Sequence, residues 1–211
     1  MYIILGISVI AAFFLIPLIG WILYSRAQTR RYETAMHSLA ERFGLQVADG
    51  QNLGWEWLRV EGNYRGIELT VGAKVEHGYR ADSITGIASG AKMIVPGARV
   101  DSFQIVKNHR VNRFTVGRKA VASGDPQVDQ AVLILCSHPE LVPEIFREPA
   151  VSDLIHQLWG QGGTYRNLSF SDEVMFFTVS SFFRPALAKE PFADAIELMS
   201  ALAEQLQHPE A

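Results

Sequence analysis

Residues 55–71 read WEWLRVEGNYRGIELTV and predict a β-hairpin. Apolar and polar side chains alternate over residues 55–61 and again over 67–71, which is the period of a strand that buries one face. Residues 62–66 contain two glycines and an asparagine and predict the loop between the two strands. Because strands joined by so short a loop are antiparallel, we expect a mostly antiparallel sheet.

The residues after this hairpin carry further strand signals. Short strands are predicted at 103–106, 113–116, 164–170 and 173–180, the last two as a hairpin. Residues 131–136, AVLILC, form an unbroken apolar run, which predicts a central strand covered on both faces. Residues 72–97 carry five glycines and little periodicity, and predict an irregular, mobile connection with one or two short strands.

Three helices are predicted in the chain after residue 136. Ser137 and Glu140 have the spacing of a capping box and predict a short or broken helix. A second, amphipathic helix ends at Gly160, and a third opens at Pro191. The apolar face of the third contains Phe192, Ala195, Ile196, Met199, Leu202, Ala203 and Leu206. We therefore expect residues 45–211 to form one soluble α+β domain, a mostly antiparallel sheet with packed helices.

The amino-terminal segment accounts for the excess hydrophobicity of the chain. Of 211 residues 48% are hydrophobic, and the mean hydropathy is +0.10. Residues 1–24 contain 20 hydrophobic residues and no charge, whereas the remainder is about 43% hydrophobic, an ordinary globular value. As a helix, residues 2–24 would be about 34 Å long, enough to cross a hydrocarbon core. We predict a transmembrane anchor at residues 1–25 that contacts the lipid bilayer through residues 2–24.

The flanks of the anchor predict its orientation. Arg26, Arg30 and Arg31 follow the apolar span directly, and no basic side chain precedes it. By the positive-inside rule the C-terminal domain is cytoplasmic and the N-terminus lies across the membrane. A cleavable signal peptide, the competing interpretation, would need a basic n-region and a shorter apolar run. The single Cys136 suits a reducing compartment.

A juxtamembrane helix is predicted over residues 26–44. An apolar stripe at helical spacing is formed by Tyr32, Met36, Leu39 and Phe43. Gly44 supplies the stop at the C-terminal end.

No motif assembles catalytic or metal chemistry. Residues 86–92 lack the spacing of a phosphate-binding loop, and Ser89 with Lys92 lacks the partner motifs of acyl-serine enzymes. Cys136 and His138 form no zinc site, because the sequence has no second pair of ligands at suitable spacing. We therefore predict no catalytic residue, no cofactor and no metal, and favour a role other than catalysis.

Residues 124–132, GDPQVDQAV, form an acidic turn before the apolar run. Asp125 precedes proline, so its carboxylate is predicted to bond nearby backbone N–H groups rather than to act with Asp129 as a catalytic pair. The turn, the apolar run, the PELV motif after it and the late hairpin resemble uncharacterised bacterial membrane-anchored proteins with a GDPxFD-type turn. The resemblance covers residues 120–207, and Val128 replaces the family's aromatic residue. It implies a bacterial single-pass protein and transfers no catalytic residues.

Charge is distributed unevenly along the chain, whose net charge is −3. Residues 107–119 contain no acid. The basic residues of this segment are Lys107, Arg110, Arg113, Arg118 and Lys119. Together with Arg26, Arg30 and Arg31 they are a candidate membrane or partner surface, since anionic headgroups attract cationic side chains. A solvated loop, balanced by the acidic residues of 172–211, is the alternative, and the negative net charge argues against a nucleic-acid partner.

These observations favour a binding role. We expect an accessory or scaffold subunit of an assembly in the bacterial inner membrane, in contact with other membrane protein subunits. Assembly into homo-oligomers is an open alternative. One alternative is an enzyme with a site of dispersed residues, for instance His77, Asp82, His109 or Asp125. The other is a lipid or ligand sensor that uses residues 72–97 and turns residues 107–119 toward the membrane.

Overall fold

The computed structural model describes residues 2–48, 58–77, 84–160, 165–181 and 192–207. Its helices are α1 (Tyr2–Phe43), α2 (Arg110–Thr115), α3 (Pro126–Ala131), α4 (Val142–Ile145), α5 (Pro149–Gly160) and α6 (Phe192–Gln207). Its strands are β1 (Gln46–Ala48), β2 (Arg59–Tyr64), β3 (Ile67–His77), β4 (Ile84–Ile94), β5 (Ser102–Lys107), β6 (Val132–Cys136), β7 (Tyr165–Ser171) and β8 (Val174–Ser181). Short 3₁₀ turns lie at Gly117–Lys119 and Pro139–Leu141.

The strands form one sheet in the order β1-β2-β3-β4-β8-β7-β5-β6, and each neighbouring pair is antiparallel. The core contains buried side chains from α1, α5 and α6 and from alternate positions of the strands. The ring of Phe177 on β8 lies 6.0 Å from Trp159 of α5 and 5.8 Å from Phe192 of α6. The predicted α+β fold, an antiparallel sheet with packed helices, is confirmed.

The first predicted hairpin is confirmed, but its loop is shorter than predicted. β2 and β3 pair on either side of Arg65 and Gly66, whose φ angles are 51° and 83°. Positive φ at both central positions is typical of a type I′ turn, because its twist matches that of the paired strands. Residues 62–64 therefore belong to β2. Residues 55–57 of the predicted first strand lie outside the described residues.

The prediction of an irregular connection over residues 72–97 was wrong. β3 and β4 pair across most of this segment as strands of 11 residues each, and residues 78–83 between them lie outside the described part. Gly72 lies opposite Gly90 in this pairing. A Cβ at Gly90 would lie 2.9 Å from the backbone oxygen of Phe177 on β8. Glycine at this position therefore permits close packing of two strands rather than irregular backbone.

The prediction of a central strand at residues 131–136 was also wrong, because β6 lies at one end of the described sheet. Val132 and Ile134 are buried, and the backbone N–H of Val121 donates to the carbonyl of Ile134 at 2.8 Å on the outer side of β6. Hydrophobicity reports how deeply side chains are buried and not how many neighbours a strand has, so an apolar edge strand resembles a central one.

The helix predicted from Ser137 is broken, as expected. A 3₁₀ turn leads into α4, which has only four residues. The Ser137 hydroxyl accepts hydrogen bonds from the backbone N–H groups of Asp101 and Ser102, at 3.1 and 3.2 Å. It therefore links the end of β6 to the neighbouring start of β5, and does not form the predicted capping box.

The C-terminal half of α1 packs on the domain, as its apolar stripe predicted. The stripe residues Tyr32, Met36, Leu39 and Phe43 are all buried. Gly44, at a φ of 65°, ends the helix. Helix α1 runs without interruption through Pro17.

Among the described residues, no helix combines the length and the apolar character that crossing a bilayer requires. The side chains of residues 2–14 lie outside the described part of the chain. The transmembrane anchor at residues 1–25 therefore stays a prediction.

Candidate interaction surface at one edge of the sheet

The docked half of α1 runs along β2 in the direction of that strand. The hydroxyl of Tyr32 donates a hydrogen bond to the carbonyl of Leu58, directly before β2. Further along α1, the ring of Phe43 meets that of Tyr64 at the end of β2, with centroids 5.0 Å apart. The part of α1 before Tyr32 therefore extends beyond the edge of the sheet at which β2 begins.

Here 'edge' means a side of the sheet at which strands begin and end, not an edge strand such as β6. We call the side from which α1 leaves the proximal edge and the opposite side the distal edge. Each edge of an antiparallel sheet collects the starts of some strands and the ends of the others. The proximal edge contains the starts of β2, β4, β6 and β7 and the ends of β1, β3, β5 and β8. The β2–β3 and β7–β8 turns lie at the distal edge.

The first group of the predicted membrane or partner surface lies on the part of α1 that leaves the proximal edge. It consists of Arg26, Arg30 and Arg31. Their side chains are exposed. They occupy the stretch between Tyr24, where the apolar segment ends, and Tyr32, the first buried residue of the stripe. This stretch is about 12 Å long at the helical rise.

The basic segment 107–119 leaves the sheet at the same edge. Lys107 ends β5 and pairs with Val132 at the start of β6. Helix α2 and a 3₁₀ turn follow, so the strand predicted at residues 113–116 was wrong. The segment then returns to the sheet at Val121, beside β6.

Two asparagines explain why this segment is helical. Asn108 donates from Nδ2 to the carbonyl of Asp129 at 2.7 Å and accepts at Oδ1 from Nε of Arg113 at 2.6 Å. Asn112 donates from Nδ2 to the carbonyl of Lys107 at 2.9 Å. Side-chain amides of this kind compete with strand pairing for backbone partners, and close the chain into a turn.

Most of the predicted basic side chains of this segment lie at the surface. Arg110, Arg113 and Lys119 are exposed and Lys107 is half-buried, whereas the side chain of Arg118 lies outside the described residues. Neither Arg110 nor Lys119 forms an ion pair with another described residue. Their charges are therefore available to a partner.

Phe114 on α2 was missed in the sequence, where it formed part of a predicted strand. Its side chain is 90% exposed, the largest value among the exposed large apolar residues of the described chain. The sequence around Phe114 is distinguished by the absence of acids from residues 107–119. This absence does not indicate whether a side chain is exposed.

The two groups of basic residues share an edge but are not in contact. Helix α1 lies on β2 and α2 follows β5, and five strand spacings separate these strands in the sheet. This corresponds to about 24 Å at the usual distance between strands.

Two arginines at the distal edge form ion pairs with the covering helices. Arg65 in the β2–β3 turn lies 3.3 Å from Glu197 and 3.4 Å from Glu204 of α6. Arg99, which precedes β5, lies 3.0 Å from Glu144 of α4. These ion pairs join the turns of the sheet to the helices that cover it.

Asp125 caps α3, which confirms its predicted structural role. Its Oδ1 accepts a hydrogen bond from the backbone N–H of Gln127 at 2.8 Å. This bond, and then one with Ser152, lowers the pKa of the Asp125 carboxyl. Asp129 instead accepts from the backbone N–H of Ser123 at 2.8 Å. The two carboxylates hold separate backbone groups and do not form a catalytic pair.

An open pocket of about 530 Å³ lies between this turn, α4 and the start of α5. Asp125, Arg147 and Asp153 are among its lining residues. A carboxylate with a lowered pKa is a weak base, so Asp125 is poorly suited to general base catalysis in this pocket.

Cys136 and His138 lie at the distal edge, outside this pocket. Burial raises the pKa of the Cys136 thiol, which disfavours the nucleophilic thiolate. The imidazole of His138 lies 3.3 Å from Glu140 and 3.5 Å from Asp101. Among the residues that the structure describes, no three side chains form a cluster that could hold a metal ion.

Of the dispersed residues considered for an enzyme site, the structure describes the side chains of only Asp125 and His109. Nδ1 of His109 lies 3.5 Å from the backbone nitrogen of Asn112, within the α2 segment, and His109 does not line the pocket beside Asp125. Asp82 and the side chain of His77 lie outside the described residues.

No family model and no curated protein matches this chain. The crystal structure of the mycobacterial trehalose monomycolate transport factor A is similar at a TM-score of 0.45 and 8% sequence identity. The similarity covers 88% of this chain and 99% of that one. A likeness at this level carries no argument about activity or partners.

Proposed function

We propose that this chain is a single-pass, membrane-anchored accessory or scaffold subunit of a bacterial membrane assembly. Residues 2–24 hold it in the cytoplasmic membrane, and the α+β domain binds partner subunits on the cytoplasmic side. One observation carries the proposal: α1 exposes large apolar side chains over residues 15–24 and continues as the same helix into the core of the domain.

The exposed apolar side chains need cover. Ile16 is 69% and Trp21 is 67% exposed, and their neighbours in residues 15–24 are exposed too. Contiguous apolar surface of this kind marks a site that lipid or a partner covers. The length of the uncharged segment, about 34 Å as a helix, supports lipid as the cover.

The basic residues after the apolar segment support the orientation. Arg26, Arg30 and Arg31 are exposed, and they lie where a helix leaves the headgroup region if residues 2–24 span the bilayer. Cationic residues at this position favour the cytoplasmic side. The domain then begins at Tyr32, about two helical turns further on.

The titratable side chains of the described domain support binding over catalysis. Asp125 caps a helix, and Glu197 and Glu144 hold arginines at the distal edge. Each of these acids has a structural partner, whereas the exposed cations of residues 107–119 lie on the surface. Complementary charge across an interface steers association and gives specificity, so these cations suit an anionic partner.

The anchor is tested with the full chain in native membranes. We expect the chain to stay in the membrane pellet after an alkaline carbonate wash, because a spanning helix resists conditions that remove surface-bound proteins. The control is a variant without residues 2–24, which should appear in the supernatant. Release of the full chain by the wash would contradict the anchor.

The accessory role is tested by isolating the chain in mild detergent at native expression and measuring its size. We expect a complex that contains further membrane subunits. In the matched control, an unrelated single-pass segment of equal length replaces residues 2–24, and the complex should survive if the domain binds the partners. A lone chain at native expression would contradict the accessory role.

A further inference from the structure

We infer that α2 and the 3₁₀ turn after it dock on the anionic surface of the bilayer, with Phe114 as an interfacial anchor. This inference rests on the membrane anchor of the proposed function. It commits residues 107–119 to one occupant, a lipid surface that carries anionic headgroups.

The exposure of Phe114 is the first argument. Its ring is 90% exposed on a helix whose backbone is held in place. Aromatic and apolar side chains on the polar surface of a tethered domain are typical of contacts with the headgroup region, where the ring is partly removed from water.

The charge around Phe114 is the second argument. Within five residues of it in the chain, Arg110, Arg113 and Lys119 are exposed, although the net charge of the chain is −3. Neither Arg110 nor Lys119 has an ion-pair partner among the described residues. Basic residues close to an anionic membrane are attracted to it, and this attraction fades within a Debye length.

The position of α2 is the third argument. It follows the last residue of β5 at the proximal edge, and α1 leaves the domain at that edge. Only about 12 Å of helix separates Tyr24, at the end of the apolar segment, from Tyr32 on the domain. The proximal edge is therefore the part of the sheet nearest to a bilayer that surrounds residues 2–24.

The asparagine hydrogen bonds are the fourth argument. Asn108 holds Arg113 and the carbonyl of Asp129, and Asn112 holds the carbonyl of Lys107. A segment built in this way keeps its aromatic ring on the outside in the absence of a partner. Contact with lipid then requires little further ordering, which favours binding.

The inference is tested on the full chain in vesicles of phosphatidylcholine with and without phosphatidylglycerol. Cys136→Ser removes the native thiol, and Thr115→Cys, next to Phe114 on α2 and exposed, then carries a fluorophore that lipid-bound quenchers reach only at the bilayer. Ser171→Cys, at the distal edge, carries the same label as the control. The measured quantity is the depth of each label in the bilayer.

We expect strong quenching at position 115 and none at position 171 when phosphatidylglycerol is present. Quenching at position 115 should fall by about half or more in high salt, because salt screens the attraction. An unquenched label at position 115 in a chain that is inserted in the vesicles overturns the inference and leaves the anchor intact. Failure of the chain to insert contradicts the anchor, and with it the inference.

Two substitutions in the labelled chain separate the cationic contribution from that of the ring. Arg110→Glu should reduce quenching at position 115 by about half or more in anionic vesicles, and Arg42→Glu, the same charge change at the C-terminal end of α1, should leave quenching unchanged. Equal quenching in neutral and anionic vesicles, or equal effects of the two charge reversals, overturns the assignment of anionic lipid as the partner. Phe114→Ala should also reduce quenching at position 115, and unchanged quenching in this variant overturns the assignment of the ring as the anchor.

Discussion

Two arginines at the distal edge and two cations of segment 107–119 differ in their partners. At the distal edge, Arg65 and Arg99 each bind carboxylates of the helices that cover the sheet. Arg110 and Lys119 are exposed and form no ion pair with a described residue. Arg65 and Arg99 therefore join parts of the fold, whereas Arg110 and Lys119 contribute little to it.

This difference distinguishes residues that stabilise the fold from candidates for a recognition surface. A half-buried ion pair with further hydrogen bonds contributes to folding, whereas exposed charges contribute little. Exposed residues without a role in folding are the better candidates for binding. The following variants test this separation.

Replacement of Arg99 by alanine should cause the largest loss of stability. Its Nη2 donates to Glu144 and to the carbonyl of Gln205, both at 3.0 Å, and the change leaves these acceptors without it. We expect the free energy of unfolding to fall by about 2 kcal/mol in denaturant titrations of the full chain in detergent. Arg110→Ala, the proximal control, should change it by less than about 0.5 kcal/mol. Equal losses would break the comparison.

Asn108→Ala should lower the free energy of unfolding by about 1–2 kcal/mol, because it removes two hydrogen bonds of α2. It should also reduce the quenching of the label at position 115, since the segment is no longer held in place. Asn63→Ala, an exposed asparagine on β2, is the control and should have little effect in the same titration. Unchanged stability in Asn108→Ala would show that α2 does not depend on this side chain.

Asp125→Ala should lower the free energy of unfolding at neutral pH by about 1 kcal/mol, the usual value for a lost helix cap. The hydrogen bond from Gln127, followed by that with Ser152, lowers the pKa of Asp125 in the folded chain. Its contribution is therefore present above the unfolded pKa and is lost as the pH falls through the folded pKa.

The difference between Asp125 and its alanine variant should consequently narrow in acid, when unfolding is measured over a series of pH values. Asp125→Asn keeps a capping oxygen without the charge, and should retain most of the stability without this pH dependence. A constant difference down to strongly acidic pH would contradict the assignment.

Tyr64→Phe should lower the free energy of unfolding by about 0.5–1 kcal/mol, because the hydroxyl donates to Glu197 at 3.1 Å. Burial, and then the bond with Glu197, raises the pKa of Tyr64. Its contribution is therefore present below the unfolded pKa and is lost as the pH rises through the folded pKa. An absorbance titration should lose one late-ionising tyrosine in this variant, and an unchanged titration would contradict the hydrogen bond.

Phe114→Ala should have the smallest effect on folding, less than about 0.5 kcal/mol in the free energy of unfolding. The ring is almost fully exposed, so its removal uncovers no core. Chemical unfolding of the full chain in detergent measures this directly. A loss above 1 kcal/mol, the scale of the distal variants, would show that Phe114 belongs to the fold and not to a contact surface.

Local patterns in the sequence predicted a large part of the fold. Alternation predicted the β2–β3 pair, and helical spacing predicted α5, α6 and the docked half of α1. Each of these signals involves residues close together in the chain, whose burial follows from their own period. The exact turn at Arg65 and Gly66 was not predicted, because Arg65 adopts a φ of 51° that its residue type disfavours.

The failures have a different origin. The glycines of residues 72–97 indicated irregular backbone, but Gly90 is needed where β8 approaches closely. The apolar run of β6 indicated a central strand, although cover of an edge strand produces the same pattern. The alternation around Phe114 indicated a strand, although Asn108 and Asn112 hold a helical turn there. In each case distant or side-chain partners outweighed the local preference.

The sequence by itself determined the α+β class, the helices that pack on the sheet and the basic residues of segment 107–119. Composition and period are local properties, and burial of one face follows from them. Only the tertiary structure decided that α1 and α2 leave the sheet at the same edge and that Phe114 is exposed there. Strand order and direction depend on pairings between residues far apart in the chain, and no local pattern contains that information.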